Sequence, residues 1–180
     1  MIYLKLLRSK IYIMYPILES AFLRYPMRKK VADLFLRRGF RIDKKAKIFC
    51  GEVEISPVKI ARALEVDRRV VIETAEMIAD YDELFEIFSS LEPTASIRKV
   101  AKLLKFEVLE IQAEPHAVGV VSKITNIISD AGIVIRQIIS DDPDIYPNPK
   151  LTIVLEKKLP AKALVKIREL DMIEKISIGS

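Results

Sequence analysis

A short loop near the middle of the chain holds the residues best suited to bind a charged small molecule. The loop runs from Glu114 to Gly119, and an apolar helical pattern begins directly after it. Backbone N–H groups at a helix start lack intrahelical partners, and the helix dipole adds partial positive charge there. Gly119 has no side chain to keep a ligand away from these groups. We therefore predict a carboxylate site formed by Glu114, His116, Ala117, Val118, Gly119, Val120 and Val121, with His116 at its periphery.

The residue types that catalysis and metal binding need are scarce. The chain has one cysteine, Cys50, and one histidine, His116. They cannot supply a disulfide, a Cys-rich zinc site, a catalytic triad or a two-histidine metal site. The sequence shows no Gly-rich phosphate loop and no nucleophile–base pair. We therefore expect a binding protein without catalytic residues, metal or cofactor. The lone cysteine also fits a cytoplasmic location.

Positive charge is concentrated in the first part of the chain. Residues 1–70 hold 17 Lys and Arg against 7 Asp and Glu, a net charge of +10, whereas residues 71–104 carry −4 and residues 105–180 carry −1. This asymmetry is typical of a surface that meets nucleic acid or another anionic partner, but basic side chains also solvate ordinary helix faces. Charge alone leaves both interpretations open.

Residues 56–80 have the spacing of a helix-turn-helix. Ser56 and Pro57 are suited to begin a first helix, and Asp67 to cap a second one after a short turn. Glu65 stands where such turns usually have glycine, so the turn must accommodate a Cβ. The candidate DNA-contacting side chains are all basic, namely Lys59, Arg62, Arg68 and Arg69. Acidic residues follow on the second helix and would repel phosphates. A structural or dimer-forming module is therefore the alternative.

Membrane segments are not expected. The most apolar early stretch, residues 11–18, contains Pro16 and is followed by Glu19, so it is shorter than the roughly 20 residues that a spanning helix needs. Basic residues precede this stretch, as in a signal peptide, but the broken apolar run argues against one. The initiator remains open between Met1 and Met14.

The remaining patterns define the predicted domains. Residues 27–39 read as a helix, and residues 40–55 alternate like one or two short strands or a hairpin. Ser96 is suited to cap a connecting helix that runs through Leu104 on one apolar stripe. The prediction is thus a mostly helical domain over 1–92, a linker with connecting helix over 93–104, and a second domain over 105–180.

The second domain has a regular alternation of strand and helix patterns. Strands are predicted over 106–113, 133–140, 151–155 and 172–178, and helices over 120–131 and 160–170. The order βαββαβ is that of a ferredoxin-like domain, with helices on one face of an antiparallel sheet. We therefore predict an α+β protein, with a helix-turn-helix-like domain followed by a ferredoxin-like domain.

This second domain resembles an ACT domain. Residues 111–124 and 130–135 match the two hallmarks of that family, with Gly119 at the first loop-to-helix junction and Gly132 at the end of that helix. Over its whole length the chain resembles a group of archaeal proteins that are described only as predicted ACT-domain regulators of amino-acid metabolism.

The resemblance implies a function and an assembly. ACT domains sense amino acids or similar small metabolites, typically as dimers, with the ligand held between the first loop of one copy and the adjoining copy. It thus implies a homo-oligomer and adds Val134, on the strand after Gly132, to the ligand site. This sequence departs from the family pattern at Val118, usually proline, at His116, usually acidic, and at Val134, often polar. The implied function is a metabolite-sensing regulator that controls transcription through its helix-turn-helix. The alternative is a regulatory subunit that binds a metabolic enzyme and no nucleic acid.

Overall fold

The structure, a computed structural model, describes residues 16–179. Contacts divide the chain between Thr94 and Ala95 into two compact units. Helices and antiparallel sheets occur together in the chain, so the α+β class is confirmed. The alternative initiators Met1 and Met14 lie outside the described residues. Over the range that is described, none of the helices combines the length and the apolar character needed to cross a bilayer.

The first unit combines helices with a small sheet. Its described elements are α1 (Pro16–Phe22), α2 (Pro26–Arg38), β1 (Phe40–Ile42), β2 (Ile48–Cys50), β3 (Val53–Glu54), α3 (Pro57–Leu64), α4 (Arg68–Asp80) and α5 (Asp82–Ser89). The strands lie side by side in the order β1-β2-β3, and adjacent strands are antiparallel. The prediction of at most two strands was wrong, because Gly51, at a φ of 57°, turns the chain so that Val53 pairs with Cys50.

Aromatic and aliphatic side chains fill the core of this unit. The helix α2 buries Val31 and Phe35, which lie one helical turn apart and so share a face. The rings of Phe35 and Phe88 meet edge to face with centroids 6.5 Å apart. Burial of such side chains stabilises a fold by about 1.5–3 kcal/mol each. This core holds α4 in place through Val71, Ala75 and Ile78.

The turn between α3 and α4 forms as the sequence predicted, apart from one cap. The carboxylate of Asp67 accepts a hydrogen bond from the backbone N–H of Arg69 at 2.7 Å, which confirms it as the cap of α4. Glu65 adopts the left-handed conformation at a φ of 55°, so its Cβ occupies a position that favours glycine. Ser56 lies at the N-cap position of α3, but its side chain makes no capping hydrogen bond.

The predicted connecting helix is absent. Residues 93–104 contain a single 3₁₀ turn, Arg98–Val100, followed by turns as far as Lys105. Two residues of the predicted apolar stripe, Val100 and Leu104, are 42% and 48% exposed, so the stripe has no continuous surface to pack on. Lys105, at a φ of 58°, ends the turns. From Ala95 onward this segment belongs to the second unit.

The second unit is a four-stranded sheet with two helices. Its elements are β4 (Glu107–Ala113), α6 (Val120–Asp130), β5 (Ile135–Ser140), β6 (Leu151–Leu155), α7 (Ala161–Arg168) and β7 (Ile173–Gly179). The strand order is β5-β6-β4-β7, and every adjacent pair is antiparallel. One apolar cluster joins the sheet to both helices, including Leu109, Ile111, Ile124, Ile128, Ile153 and Ile167. Because β4 and β5 end where β6 begins, the loop after β4 and the loop before β6 meet at the same end of the sheet.

Candidate functional site

A cavity of about 700 Å³ opens at this end of the sheet in the second unit. Its lining comes from the loop after β4, the first turns of α6, the end of β5 and the start of β6. The apolar part of the lining includes Ile111 and Leu151, which pair across adjacent strands. Cavities of roughly 300–1,000 Å³ are typical of small-molecule sites. The cavity is therefore large enough for a metabolite.

The start of α6 contributes unpaired hydrogen-bond donors to this cavity. Gly119 is the N-cap residue, and its carbonyl accepts the first helical hydrogen bond from Lys123 at 3.0 Å. The N–H groups of Val120, Val121 and Ser122 therefore lie in the first turn and have no intrahelical acceptor. No side chain caps this end of the helix among the described residues. Gly119 has a φ of 85°, which favours glycine over any residue with a Cβ.

His116 lies in the same loop and lines the cavity. Its side chain is 57% exposed, and Nε2 lies 3.7 Å from an Oδ1 atom of Asp144. The backbone of His116 is left-handed, with a φ of 62°. A left-handed residue with a Cβ costs about 1–2 kcal/mol, and such strain concentrates at ligand sites and turns.

Two further charged residues border the cavity. The backbone N–H of Asp141 donates to the carbonyl of Lys150 at 2.9 Å, and the N–H of Lys150 donates to Oδ2 of Asp141 at 3.1 Å. These two bonds close the proline-rich loop between β5 and β6. The Lys150 ammonium donates to Oε2 of Glu110 at 2.9 Å. This hydrogen bond, together with Arg98, lowers the pKa of Glu110 despite its partial burial.

Six of the eight predicted ligand residues line this cavity, and two do not. The six are Glu114, His116, Ala117, Gly119, Val120 and Val121. Val118 is 92% exposed and lies outside the lining. Val134 precedes β5, whereas Ser140 at the other end of that strand lines the cavity, a separation of about 20 Å at the usual strand rise. Within one copy of the chain, Val134 therefore cannot contact a ligand bound here.

Sequence reasoning missed the residues that reach the cavity from the second loop. Asp141 and Lys150 flank a segment whose prolines predicted a loop but no role in the site. Ser122 and Thr125 line the cavity from the first two turns of α6, but the prediction included only their apolar neighbours Val120 and Val121. Asp141 and Lys150 are brought together by the pairing of β5 with β6, which has no local signature in the sequence.

The four candidate DNA-contacting side chains lie on α3 and α4. Lys59, Arg62, Arg68 and Arg69 are all exposed, and none forms an ion pair with a described residue. On α4 the exposed Glu73 pairs with Arg28 at 2.6 Å, and Glu76 and Asp80 are also exposed. The basic end of α4 is therefore its N-terminus, and the rest of its exposed face is acidic.

Within residues 16–179, no three His, Cys, Asp or Glu side chains lie close enough together to hold a metal ion.

Comparison with known proteins gives little information. No protein-family model matches the chain, and no curated protein matches it. Among solved structures, the chain is similar to one described as "Crystal structure of PH0061", with 15% sequence identity over 69% of this chain and 78% of that chain. The TM-score of 0.24 is too low to support a conclusion about fold or function.

Proposed function

We propose that this chain is a metabolite-sensing regulator of amino-acid metabolism, and that its second unit is an ACT domain that binds a small carboxylate. The observation that carries the proposal is the cavity of about 700 Å³ at the unpaired N–H groups of α6. The order βαββαβ and the strand order β5-β6-β4-β7 support it, because both belong to the ferredoxin-like arrangement that ACT domains share.

The lining favours an amino acid or a close relative over a simple anion. A carboxylate would accept hydrogen bonds from the first turn of α6, where the helix dipole favours negative charge. An ammonium group would find acceptors in Asp141 and Glu114, which both line the cavity. Apolar parts of the ligand would lie against Ile111 and Leu151. We assign the cavity to binding and not to catalysis, because His116 is the one imidazole in the sequence and is largely exposed.

A thermal-shift screen with the protein amino acids and their 2-oxo acids tests this proposal. A compound that binds the folded chain and not the unfolded chain stabilises the folded state by mass action. The stabilisation is about 2.7 kcal/mol at a hundredfold excess over the dissociation constant. We expect at least one amino acid to raise the Tm of the full chain. If none of them does so at millimolar excess, the proposal is wrong.

Two glycines at opposite ends of α6 provide a matched pair of variants. Gly119 and Gly132 have φ values of 85° and 65°, so Gly119→Asp and Gly132→Asp both place a Cβ in the left-handed region. At Gly119 the new Cβ would lie 3.6 Å from Oγ of Ser122, and at Gly132 it would meet no atom within 4 Å. Each variant should therefore lose only about 1–2 kcal/mol from backbone strain.

The two variants should differ in ligand binding. Gly119→Asp places a carboxylate beside the N–H groups that would bind the ligand, so the stabilisation found in the screen should disappear. Gly132→Asp should keep it. Equal binding by both variants would move the site away from the start of α6.

A second candidate function is DNA binding through α3 and α4 as a helix-turn-helix. The observation that favours it is the position of Arg68 and Arg69 in the first turn of α4, exposed and without an ion-pair partner among the residues described. Cations at a helix N-terminus oppose the helix dipole, so this placement costs stability. An anionic partner would offset that cost.

A mobility-shift assay with genomic fragments at low salt tests this second function. If α4 contacts DNA, the affinity should fall steeply with salt, and the double variant Arg68→Ala, Arg69→Ala should bind more weakly with a log–log salt slope reduced by about two. The matched control is Lys44→Ala, Lys45→Ala, which removes two exposed charges from the turn between β1 and β2. The absence of any shift would favour a regulatory subunit that binds a metabolic enzyme.

A further inference from the structure

The sheet of the second unit has another face, on the side away from α6 and α7. Side chains alternate along a strand, so Leu109 and Ile111 face the helices while their neighbours on β4 face the other way. Strand pairing extends this second set of side chains to β6 and β7. We call the set the outer face, and its residues are Val108, Glu110, Gln112, Thr152, Val154, Lys175 and Ser177.

The segment before β4 covers only part of the outer face. Ala101 is buried in a small apolar cluster with Val108 and Val154. Beside this cluster lie two cavities, of about 410 Å³ and about 50 Å³, and both are lined by Glu110 and Ser177. The larger cavity has the volume of a small-molecule site, for which roughly 300–1,000 Å³ is typical.

Positive charge dominates the lining of these two cavities. Three exposed lysines in the linings, Lys99, Lys102 and Lys175, form no ion pair with a described residue. The linings contain five cations against one carboxylate, an excess of four positive charges. These cations are Arg98, Lys99, Lys102, Lys150 and Lys175, and the carboxylate is that of Glu110.

The carboxylate of Glu110 fixes two of these cations in position. The guanidinium of Arg98 donates to Oε1, and the ammonium of Lys150 donates to Oε2 at 2.9 Å, so both cations lie on the outer face at the same time. A guanidinium has five N–H donors and an ammonium has three. Arg98 and Lys150 therefore keep donors that a further anion can use.

We propose that the outer face binds a small molecule with a diphosphate group, such as a nucleoside diphosphate. A phosphate monoester carries about −1.5 to −2 at neutral pH, so phosphates neutralise an excess of several cations better than a carboxylate does. The planar fork of Arg98 matches the geometry of phosphate oxygens. The apolar side chains of Ala101 and Val108 line the larger cavity and suit the uncharged part of the ligand.

A small molecule is favoured over single-stranded RNA. Proteins that bind single-stranded RNA usually stack its bases on aromatic side chains. None of the residues that form the outer face is aromatic. The charge of the face can therefore neutralise phosphates, but the face offers no ring on which bases stack.

Isothermal titration calorimetry of the full chain tests this proposal with three probes. The probes are ADP, inorganic pyrophosphate and adenosine, in about 0.15 M salt, which screens charges more than about 8 Å apart. ADP and pyrophosphate should bind with saturation, and adenosine should not bind detectably. If neither ADP nor pyrophosphate binds, the proposal is wrong. If instead a single-stranded RNA oligonucleotide binds and ADP does not, the face takes RNA and the assignment to a small molecule is overturned.

Two variants on different segments locate the binding. The double variant Lys99→Ala, Lys102→Ala should weaken ADP binding about tenfold, and Lys175→Ala should weaken it about threefold. The matched control is Lys162→Ala, Lys166→Ala, which removes two exposed charges from α7 on the opposite side of the sheet. The control should bind ADP like the wild type. Equal weakening in the control and the double variant would mean unspecific attraction to a basic protein, and an unchanged Lys175→Ala would exclude the sheet from the site.

The variant Gly119→Asp separates this inference from the proposed function. Its substitution lies in the cavity at α6, so it should bind ADP like the wild type while losing its response to the amino acid. Loss of ADP binding in Gly119→Asp would place ADP in that cavity and overturn the assignment to the outer face. ADP binding that survives in Gly119→Asp stands even if no amino acid binds. Melting curves by circular dichroism confirm that each variant is folded.

Discussion

Burial and neighbouring positive charges have opposite effects on the side chain of Asp33. It lies on α2, and its Oδ1 atom is buried without a hydrogen-bond partner among the described residues. Burial raises the pKa of this carboxyl, although Lys29 and Arg37 act in the opposite direction. The ionised carboxylate therefore destabilises the folded chain.

Replacing Asp33 by alanine should stabilise the protein at neutral pH. Asp33→Ala removes the unpaired carboxylate oxygen and adds a better helix former, so the free energy of unfolding at pH 7 should rise by about 1 kcal/mol. Because the pKa of Asp33 is higher in the folded state, the destabilisation appears as pH rises above the unfolded value near 4 and is absent below it. The gain should therefore shrink between pH 7 and pH 3, as measured by urea denaturation.

Glu76→Ala is the control for this prediction. Glu76 is an exposed acid on α4, so its replacement should give only the small change that helix propensity produces. A loss of stability in Asp33→Ala at pH 7, or a gain of the same size at both pH values, would contradict the assignment of burial as the dominant effect.

Gly39 determines how the element α2 ends. The sequence predicted a helix stop at this position, and the residue is a left-handed C-cap with a φ of 63°. The structure adds a second requirement, because a Cβ on Gly39 would overlap the backbone of Glu92 and Pro93. The close approach of that distant segment has no signal in the local sequence.

Alanine at Gly39 should destabilise the first unit more than alanine at Gly51. Gly51 is also left-handed, with a φ of 57°, but its added Cβ would lie 3.9 Å from the Pro93 side chain. Gly51→Ala should lose about 1–2 kcal/mol from strain, and Gly39→Ala should lose at least about 3 kcal/mol, because backbone atoms must also move. Thermal melts of both variants check the difference. Equal losses of stability would mean that the backbone of Glu92 and Pro93 moves aside at little free-energy cost.

Elements with one dominant local signal were predictable from the sequence, and those that depend on distant partners were not. The helix α2, the cap at Asp67 and the left-handed Glu65 follow from periodicity and backbone sterics. The predicted connecting helix from Ser96 through Leu104 is absent because its apolar stripe lacks a packing surface, although the stripe has helical spacing. Within the site, the helix start at Gly119 was visible in the sequence, whereas the contact between Asp141 and Lys150 depends on the pairing of β5 and β6.

The whole molecule should assemble into a homodimer or a larger homo-oligomer. The strands β5 and β7 form the two edges of the four-stranded sheet, and unpaired edges invite pairing with another chain. Large apolar side chains near these edges are exposed, including Val134 at 55%, Ile138 at 39% and Ile178 at 47%. Association would remove this apolar surface from water.

Light scattering at micromolar concentration checks this prediction. We expect a mass of twice the 20.6 kDa chain or a higher multiple. Introducing a charge with Ile138→Lys or Ile178→Lys should weaken whichever edge forms the interface, and the unaffected variant serves as control. A monomer at every concentration would contradict the prediction.

The central claim is that the start of α6 binds the carboxylate of a small metabolite, and backbone amide NMR of the full chain tests it most directly. In a titration with the amino acid that raises the Tm most, the N–H resonances of Val120, Val121 and Ser122 should move downfield as each donates a hydrogen bond. The N–H of Gly132, already bonded to the carbonyl of Ser129 at 2.8 Å, should stay in place. Saturable shifts confined to other parts of the chain, with the α6 amides unchanged, would contradict the claim.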